Sequence, residues 1–75
     1  MPLIPLDLLK AGERARIVQI DGDQMLVTRL QEMGLHDDVA ITMIQPGQPC
    51  IIGLGGHRLS FRGDDAAVIL VETES

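Results

Sequence analysis

Two different hydrophobic periods run along the chain, and each predicts its own kind of element. Between residues 24 and 33, Leu26, Leu30 and Met33 recur at helical spacing with Val27 beside them, and mostly polar residues fill the other positions. Apolar residues spaced by three and four positions form one face of an α-helix. Residues 24–33 are therefore predicted to form an amphipathic helix that packs Leu26, Leu30 and Met33 into the core.

Both ends of this predicted helix carry boundary signals. Asp23 comes directly before it, and an aspartate at that position accepts a hydrogen bond from a free amide of the first turn. Gly34 follows the helix, where a residue with left-handed backbone commonly ends it. Leu35 is then placed to fold back onto the last turn. These signals make this helix the best defined element of the sequence.

The rest of the chain has the β-branched composition and the alternation of short strands. In the stretch "HRLSF" at residues 57–61, Leu59 and Phe61 face one side, whereas Arg58 and Ser60, followed by Arg62, face the other. Gly55-Gly56, between two strand-like runs, suits a two-residue hairpin connection. Five strands are predicted, at residues 15–20, 39–44, 50–54, 57–61 and 68–71.

Two short helical turns are predicted beside these strands. The first covers residues 6–9 and is closed by Gly12, and the second covers residues 63–67 with Asp64 or Asp65 as its cap. Five short strands in a small chain favour a closed or half-closed barrel, because closure removes exposed strand edges. We expect one mainly β domain over residues 1–75, a small barrel with the helix of residues 24–33 packed on it.

Composition and charge narrow the setting and the partners. The chain has a single cysteine, Cys50, which excludes an internal disulfide and favours a reducing compartment. No apolar run approaches the roughly 20 residues of a membrane span, and the amino terminus lacks the pattern of a signal peptide. We therefore expect a cytoplasmic protein without membrane insertion. The net charge of −5 and the near absence of aromatic residues argue against nucleic acid as a partner.

The residues offer little material for catalysis or for cofactor binding. No nucleophile stands beside a base that could activate it, so neither enzymatic activity nor a catalytic residue is predicted. His36, Asp37 and Asp38 are the only local cluster of metal-ligating types, and they suit a divalent transition metal. Three adjacent residues rarely converge on one ion, and aspartates more often occupy a polar turn. They are weak candidates for transition-metal binding, and no cofactor is expected.

The exposed side of the predicted helix is the better candidate for recognition. Four or five apolar positions in ten residues exceed one narrow stripe, so a surplus residue such as Met25 or Val27 is available to another protein. We assign partner binding to Met25, Arg29, Glu32 and His36. Weak self-association of the chain stays open.

The order of these motifs resembles the FeoA family of bacterial ferrous iron uptake. The resemblance covers residues 6–72 and rests on "RLQEMGL" at 29–35, "GGHRLSFR" at 55–62 and "DDAAVILV" at 64–71. It implies an SH3-like barrel and a non-enzymatic, cytosolic accessory protein. The implied partner is FeoB, a membrane iron transporter with a GTPase domain.

Two further points follow from the resemblance. FeoA-type chains commonly have a Pro-Gly turn after Gly-Leu, whereas this chain has His36-Asp37-Asp38, which suggests a local polar specialisation. The same fold occurs as the carboxy-terminal domain of iron-dependent repressors. A metal-responsive regulatory module, acting on a separate DNA-binding chain, is therefore the alternative function.

Overall fold

One antiparallel sheet dominates the computed structural model, which describes residues 3–62 and 64–73. Its strands are β1 (Ile4–Pro5), β2 (Arg14–Ile20), β3 (Ala40–Gln45), β4 (Cys50–Leu54), β5 (His57–Phe61) and β6 (Ile69–Thr73). The α-helix α1 (Gln24–Glu32) connects β2 to β3. One 3₁₀ helix, Leu6–Leu8, directly follows β1, and another, Asp65–Val68, directly precedes β6.

The sheet curls into a half-closed barrel. The strand order is β1-β6-β2-β3-β4-β5, and every neighbouring pair is antiparallel. The register shifts between Ile17 and Gln19 in β2 and between Met43 and Gln45 in β3. Such bulges bend a strand and increase its twist, which helps a short sheet to curve.

A single aliphatic core fills the concave side of the sheet. The β2, β3, β4 and β6 strands each bury alternate residues, as expected for a sheet with one face inside. Phe61 from edge strand β5 and Leu6, next to edge strand β1, join the same cluster. Side chains from β5 and from the segment next to β1 therefore share one core with the central strands.

Helix α1 begins at the predicted residue and ends one residue earlier than predicted, at Glu32. The Asp23 carboxylate accepts a hydrogen bond from the Leu26 amide at 2.8 Å. Gly34 has φ +97°, and the amides of Gly34 and Leu35 donate to the carbonyls of Gln31 and Leu30. This pair of bonds is the Schellman arrangement, which satisfies the last carbonyls of a helix. Leu35 is fully buried, so the fold-back prediction is confirmed.

The prediction that Met33 belongs to the core was wrong. Met33 is 38% exposed, and of the three predicted core positions of α1 only Leu30 is fully buried while Leu26 is half-buried. The helix ends at Glu32, and Leu35 fills the interior position at this end after the turn at Gly34. Because the chain folds back at Gly34, Leu35 occupies the core position that helical spacing alone predicts for Met33.

Two smaller predictions also need correction. β1 was not predicted, because Ile4 and Pro5 belong to a stretch of prolines and leucines that resembles a loop. Pro5 is tolerated there because β1 is an edge strand. A residue without an amide donor can stand on such a strand without breaking a hydrogen bond between strands. The second 3₁₀ helix is preceded by Asp64, but that carboxylate makes no capping hydrogen bond.

Within the described part of the chain, no helix is long and apolar enough to cross a membrane.

Candidate functional site

An exposed stripe runs along the outer side of α1. Met25, Arg29 and Glu32 follow one another at intervals of four and three residues, which places them side by side on the helix surface. All three side chains are exposed. Met25 is 84% exposed, more than any other large apolar residue in the described part of the chain. We call these three residues the α1 stripe. Val27, the other surplus apolar residue, is half-buried and lies outside it.

The charges of the α1 stripe are available to a partner. Among residues 3–62 and 64–73, neither Arg29 nor Glu32 takes part in an ion pair. The stripe therefore offers an apolar thioether beside one cation and one anion. Methionine is flexible and polarisable, and for this reason it is common on protein-binding surfaces. This combination suits recognition of another protein.

His36 is exposed but does not belong to the same helix face. It lies beyond the Gly34 turn, after the buried Leu35, where the chain has already left α1. Its carbonyl accepts a hydrogen bond from the Val39 amide at 3.3 Å and so closes the turn at Asp37-Asp38. The structure thus brings three of the four predicted partner-binding residues together and places the fourth in the following loop.

The Asp37-Asp38 turn is anchored to strand β2. Asp38 has φ +69°, a left-handed conformation that favours glycine, and its amide donates to the Ile17 carbonyl at 2.7 Å. Its carboxylate accepts a hydrogen bond from the Arg16 guanidinium, with Nη1 and Oδ1 3.0 Å apart. The tight turn is therefore retained without the Pro-Gly pair that FeoA-type chains commonly have there.

His36, Asp37 and Asp38 do not converge into a ligand set. The Asp38 carboxylate is directed to Arg16, and a cleft of about 250 Å³ beside it is lined by Asp37, Asp38 and Glu72 together with Arg16. In the described ranges, no group of three or more His, Cys, Asp or Glu side chains is arranged to hold a metal ion. Weak metal binding through fewer ligands stays a prediction.

Cys50, the single cysteine, lies inside the core. Its thiol is 4.0 Å from the sulfur of Met43, and the residue is only 3% exposed. Burial raises the pKa of this thiol, and the negative charge of Asp7 raises it further. A thiol kept neutral in this way is a poor nucleophile and a poor metal ligand. Its role is packing in the core.

One exposed leucine outside α1 was not predicted from the sequence. Leu8 is 64% exposed, whereas Leu6 and Leu9 of the same short segment are buried. The spacing of three between Leu6 and Leu9 was the available signal, since it directs both inward and leaves Leu8 on the opposite side. Leu8 is therefore a second exposed apolar residue that a partner can contact.

Comparisons with known proteins agree with this architecture. The sequence model of the FeoA family, described as the FeoA domain, matches residues 4–73. A comparison with curated protein sequences finds no match. Among solved structures, an iron uptake regulatory protein (FeoA) is 26% identical with a TM-score of 0.89, and the match covers 99% of this chain and 100% of that one.

Two more distant structures show the fold alone. The zinc complex of FeoA from Stenotrophomonas maltophilia, described as a prokaryotic SH3 domain protein, is 21% identical with a TM-score of 0.82, covering 92% and 89% of the two chains. A manganese-dependent transcriptional repressor is 13% identical with a TM-score of 0.88, and the match covers 97% of this chain but 42% of the repressor. The chain therefore has the SH3-like fold, and the metal-responsive alternative stays a prediction.

Proposed function

The chain belongs to the FeoA domain family, and on that premise we propose that it is a cytoplasmic accessory protein that binds an FeoB-type membrane iron transporter and modulates ferrous iron uptake. FeoA domains are non-catalytic accessory domains of ferrous iron transport. An accessory domain without catalytic chemistry acts through the surfaces that it offers to its partner. Of these surfaces, we assign the α1 stripe to the contact with the transporter.

The observation that carries this assignment is the exposure of Met25. A large apolar side chain that is 84% exposed contributes nothing to the core, and burying it against a partner would remove apolar surface from water. Arg29 and Glu32 flank it on the same stripe and would set the orientation of the contact. The helix is held on the barrel from its other side by Leu30, so a partner can bind the stripe without unfolding α1.

Co-purification tests the proposal. Affinity-tagged wild-type protein is expressed at native level, and the amount of FeoB-type transporter recovered from solubilised membranes is measured with and without GTP. We expect Met25→Glu and Arg29→Glu each to reduce recovery about tenfold or more while leaving the thermal melting temperature unchanged. A change of this size corresponds to about 1.4 kcal/mol of binding free energy.

The matched control is Ala11→Glu, which adds the same charge at an exposed position in the turn before β2. This variant should co-purify the transporter as wild type does. Failure of the wild-type protein to recover the transporter, together with normal ferrous iron uptake in a deletion strain, would contradict the proposed function. Equal losses for Ala11→Glu and Met25→Glu would instead remove the α1 stripe from the contact.

A further inference from the structure

A row of four residues crosses the outer face of the sheet from β2 to β5. The ladder register places Arg14 opposite Thr42, Thr42 opposite Gly53, and Gly53 opposite Arg58. Residues directly opposite each other in antiparallel strands carry their side chains on the same face. The neighbouring Ala15, Ile41 and Ile52 are buried in the core, so this row faces outward. We call it the Arg14–Arg58 row.

The middle of the row is a shallow groove with small side chains. A depression of about 350 Å³ is lined by Arg14, Ala40, Ile41, Thr42, Gly53 and Gly55. Gly53 adds no side chain to the groove, and the Ile44 side chain lies beside it, but neither the backbone nor the packing of Gly53 requires glycine. Its φ lies outside the left-handed region, and a Cβ built there would be 3.4 Å from the nearest atom, Ile44 Cδ1, which is an ordinary contact.

The two ends of the row carry positive charges that the described residues do not neutralise. Arg14 and Arg58 are exposed, and neither makes an ion pair or a side-chain hydrogen bond within residues 3–62 and 64–73. Glu13, next to Arg14, accepts a hydrogen bond from the Lys10 amide at 2.6 Å instead. By contrast, Arg16 on the same strand is paired with Asp38. The Arg14–Arg58 row therefore presents two exposed positive charges, one at each end, to an anion outside the chain.

The chemistry of the groove favours carboxylates on an extended peptide. A guanidinium presents a planar fork of donors that matches a carboxylate with two parallel hydrogen bonds. Arg14 and Arg58 are three strand spacings apart, which amounts to about 14 Å along the sheet. In an extended peptide, side chains four residues apart point the same way and are separated by about 13 Å. The spacing of the two arginines therefore fits acidic residues at positions i and i+4.

We propose that the Arg14–Arg58 row binds an extended acidic segment of a partner protein, with carboxylates four residues apart. The segment crosses the strands over Thr42 and Gly53, and each of its two carboxylates meets one arginine. Nucleic acid is a poorer fit, because the groove has no aromatic ring for base stacking. This surface belongs to the sheet and is separate from the α1 stripe, so the proposal does not depend on the transporter contact.

Fluorescence anisotropy with a defined probe tests the proposal on the full chain. The probe is a fluorescein-labelled ten-residue peptide with Glu at positions 3 and 7 in an uncharged, extended sequence, and the control peptide has Gln at both positions. We expect saturable binding of the Glu peptide at low ionic strength, and binding about tenfold weaker for the Gln peptide. Arg14→Gln and Arg58→Gln each remove one of the two ion pairs, so each should weaken binding of the Glu peptide by about threefold, as expected for exposed ion pairs.

Two further variants separate the groove from general charge attraction. Gly53→Thr keeps the net charge but fills the floor, and a threonine opposite Thr42 suits a strand pair. It should retain the thermal melting temperature and lose peptide binding, and Gly53→Ala provides the smaller change if the threonine disturbs the fold. Arg29→Gln and Arg62→Gln remove one charge elsewhere and should bind as wild type does.

Several results would overturn the proposal. Equal binding of the Glu and Gln peptides would exclude carboxylate recognition. If Arg29→Gln weakened peptide binding as much as Arg14→Gln does, binding would depend on the overall charge of the chain and not on the Arg14–Arg58 row. Binding of phosphatidylglycerol vesicles or of single-stranded DNA through Arg14 and Arg58, without binding of the Glu peptide, would assign the row to a different class of partner.

Discussion

At the scale of single residues, Asp38 shows how one side chain replaces a common turn motif. Its positive φ is costly for most side chains, but Asp is one of the few residues that adopts it, because its short polar group bonds locally. Here the carboxylate reaches Arg16 on β2, and the Asp38 amide donates to the Ile17 carbonyl. The polar turn after α1 is therefore a structural link between the α1–β3 connection and the sheet.

Substitutions at Asp38 separate the backbone conformation from the ion pair. Asp38→Gly removes the conformational cost and an exposed pair worth about 0–1 kcal/mol, so its free energy of unfolding should stay within about 1 kcal/mol of wild type. Asp38→Ala loses the pair and keeps the strained conformation, so we expect it to be less stable by about 1–2 kcal/mol. Urea unfolding followed by circular dichroism measures both values, with Asp37→Ala as the neighbouring control. An alanine variant as stable as the glycine variant would contradict this account.

At the scale of elements, α1 has two sides with different tasks. Leu30 is 2% exposed and belongs to the core, whereas Met25 is 84% exposed. The capping bonds at Asp23 and Gly34 set the ends of the helix independently of either side. The residues of α1 that pack and the residues that we propose for recognition are therefore different members of the same nine-residue helix.

Truncation of one residue on each side of α1 tests this division. Leu30→Ala should lower the free energy of unfolding by about 2–5 kcal/mol, because it removes buried contacts and leaves a cavity. Met25→Ala should change it by less than about 0.5 kcal/mol, since the side chain is mostly in water. Chemical denaturation of both variants under the same conditions supplies the measurement. The reverse order of stabilities would mean that the faces of α1 are wrongly assigned.

At the scale of the whole molecule, the sheet holds the fold and α1 is attached to it. β2 and β3 each have hydrogen-bonded neighbours on both sides, whereas α1 has one fully buried residue. Amides that lie in central strands open only with large parts of the structure, and amides in lightly packed elements open locally. The stability of this protein should therefore be uneven along the chain.

Native-state hydrogen exchange measured by NMR tests that distribution. We expect the ladder amides of β2 and β3 to exchange last, and the amides of α1 to exchange about tenfold faster or more. Leu30→Ala, which loosens the attachment of α1, should accelerate exchange in the helix more than in β2. Uniform protection across α1 and the central strands would show instead that helix and sheet open as one unit.

Features that depend on only a few neighbouring residues could be predicted from the sequence. The bounds of α1, its Asp23 cap, its Gly34 turn, the hairpin at Gly55-Gly56 and the strands of the β-rich half depend on local backbone preferences and on periodicity. The motif series along residues 6–72 also led to the FeoA family, which the match over residues 4–73 confirms. Met25, Arg29 and Glu32 could be placed on one stripe for the same reason, since helical spacing is a local property.

Tertiary structure decided what depends on distant parts of the chain. β1 is a strand only because β6, more than 60 residues later, supplies its partner. Met33 is exposed because Leu35 takes its place in the core, and Asp38 pairs with a residue 22 positions earlier. The Arg14–Arg58 row exists only through the register of four strands, which no local pattern encodes. Local sequence was enough for α1, for the longer strands and for the family, whereas cross-strand pairing and competition for the core set β1 and the surfaces that this protein presents.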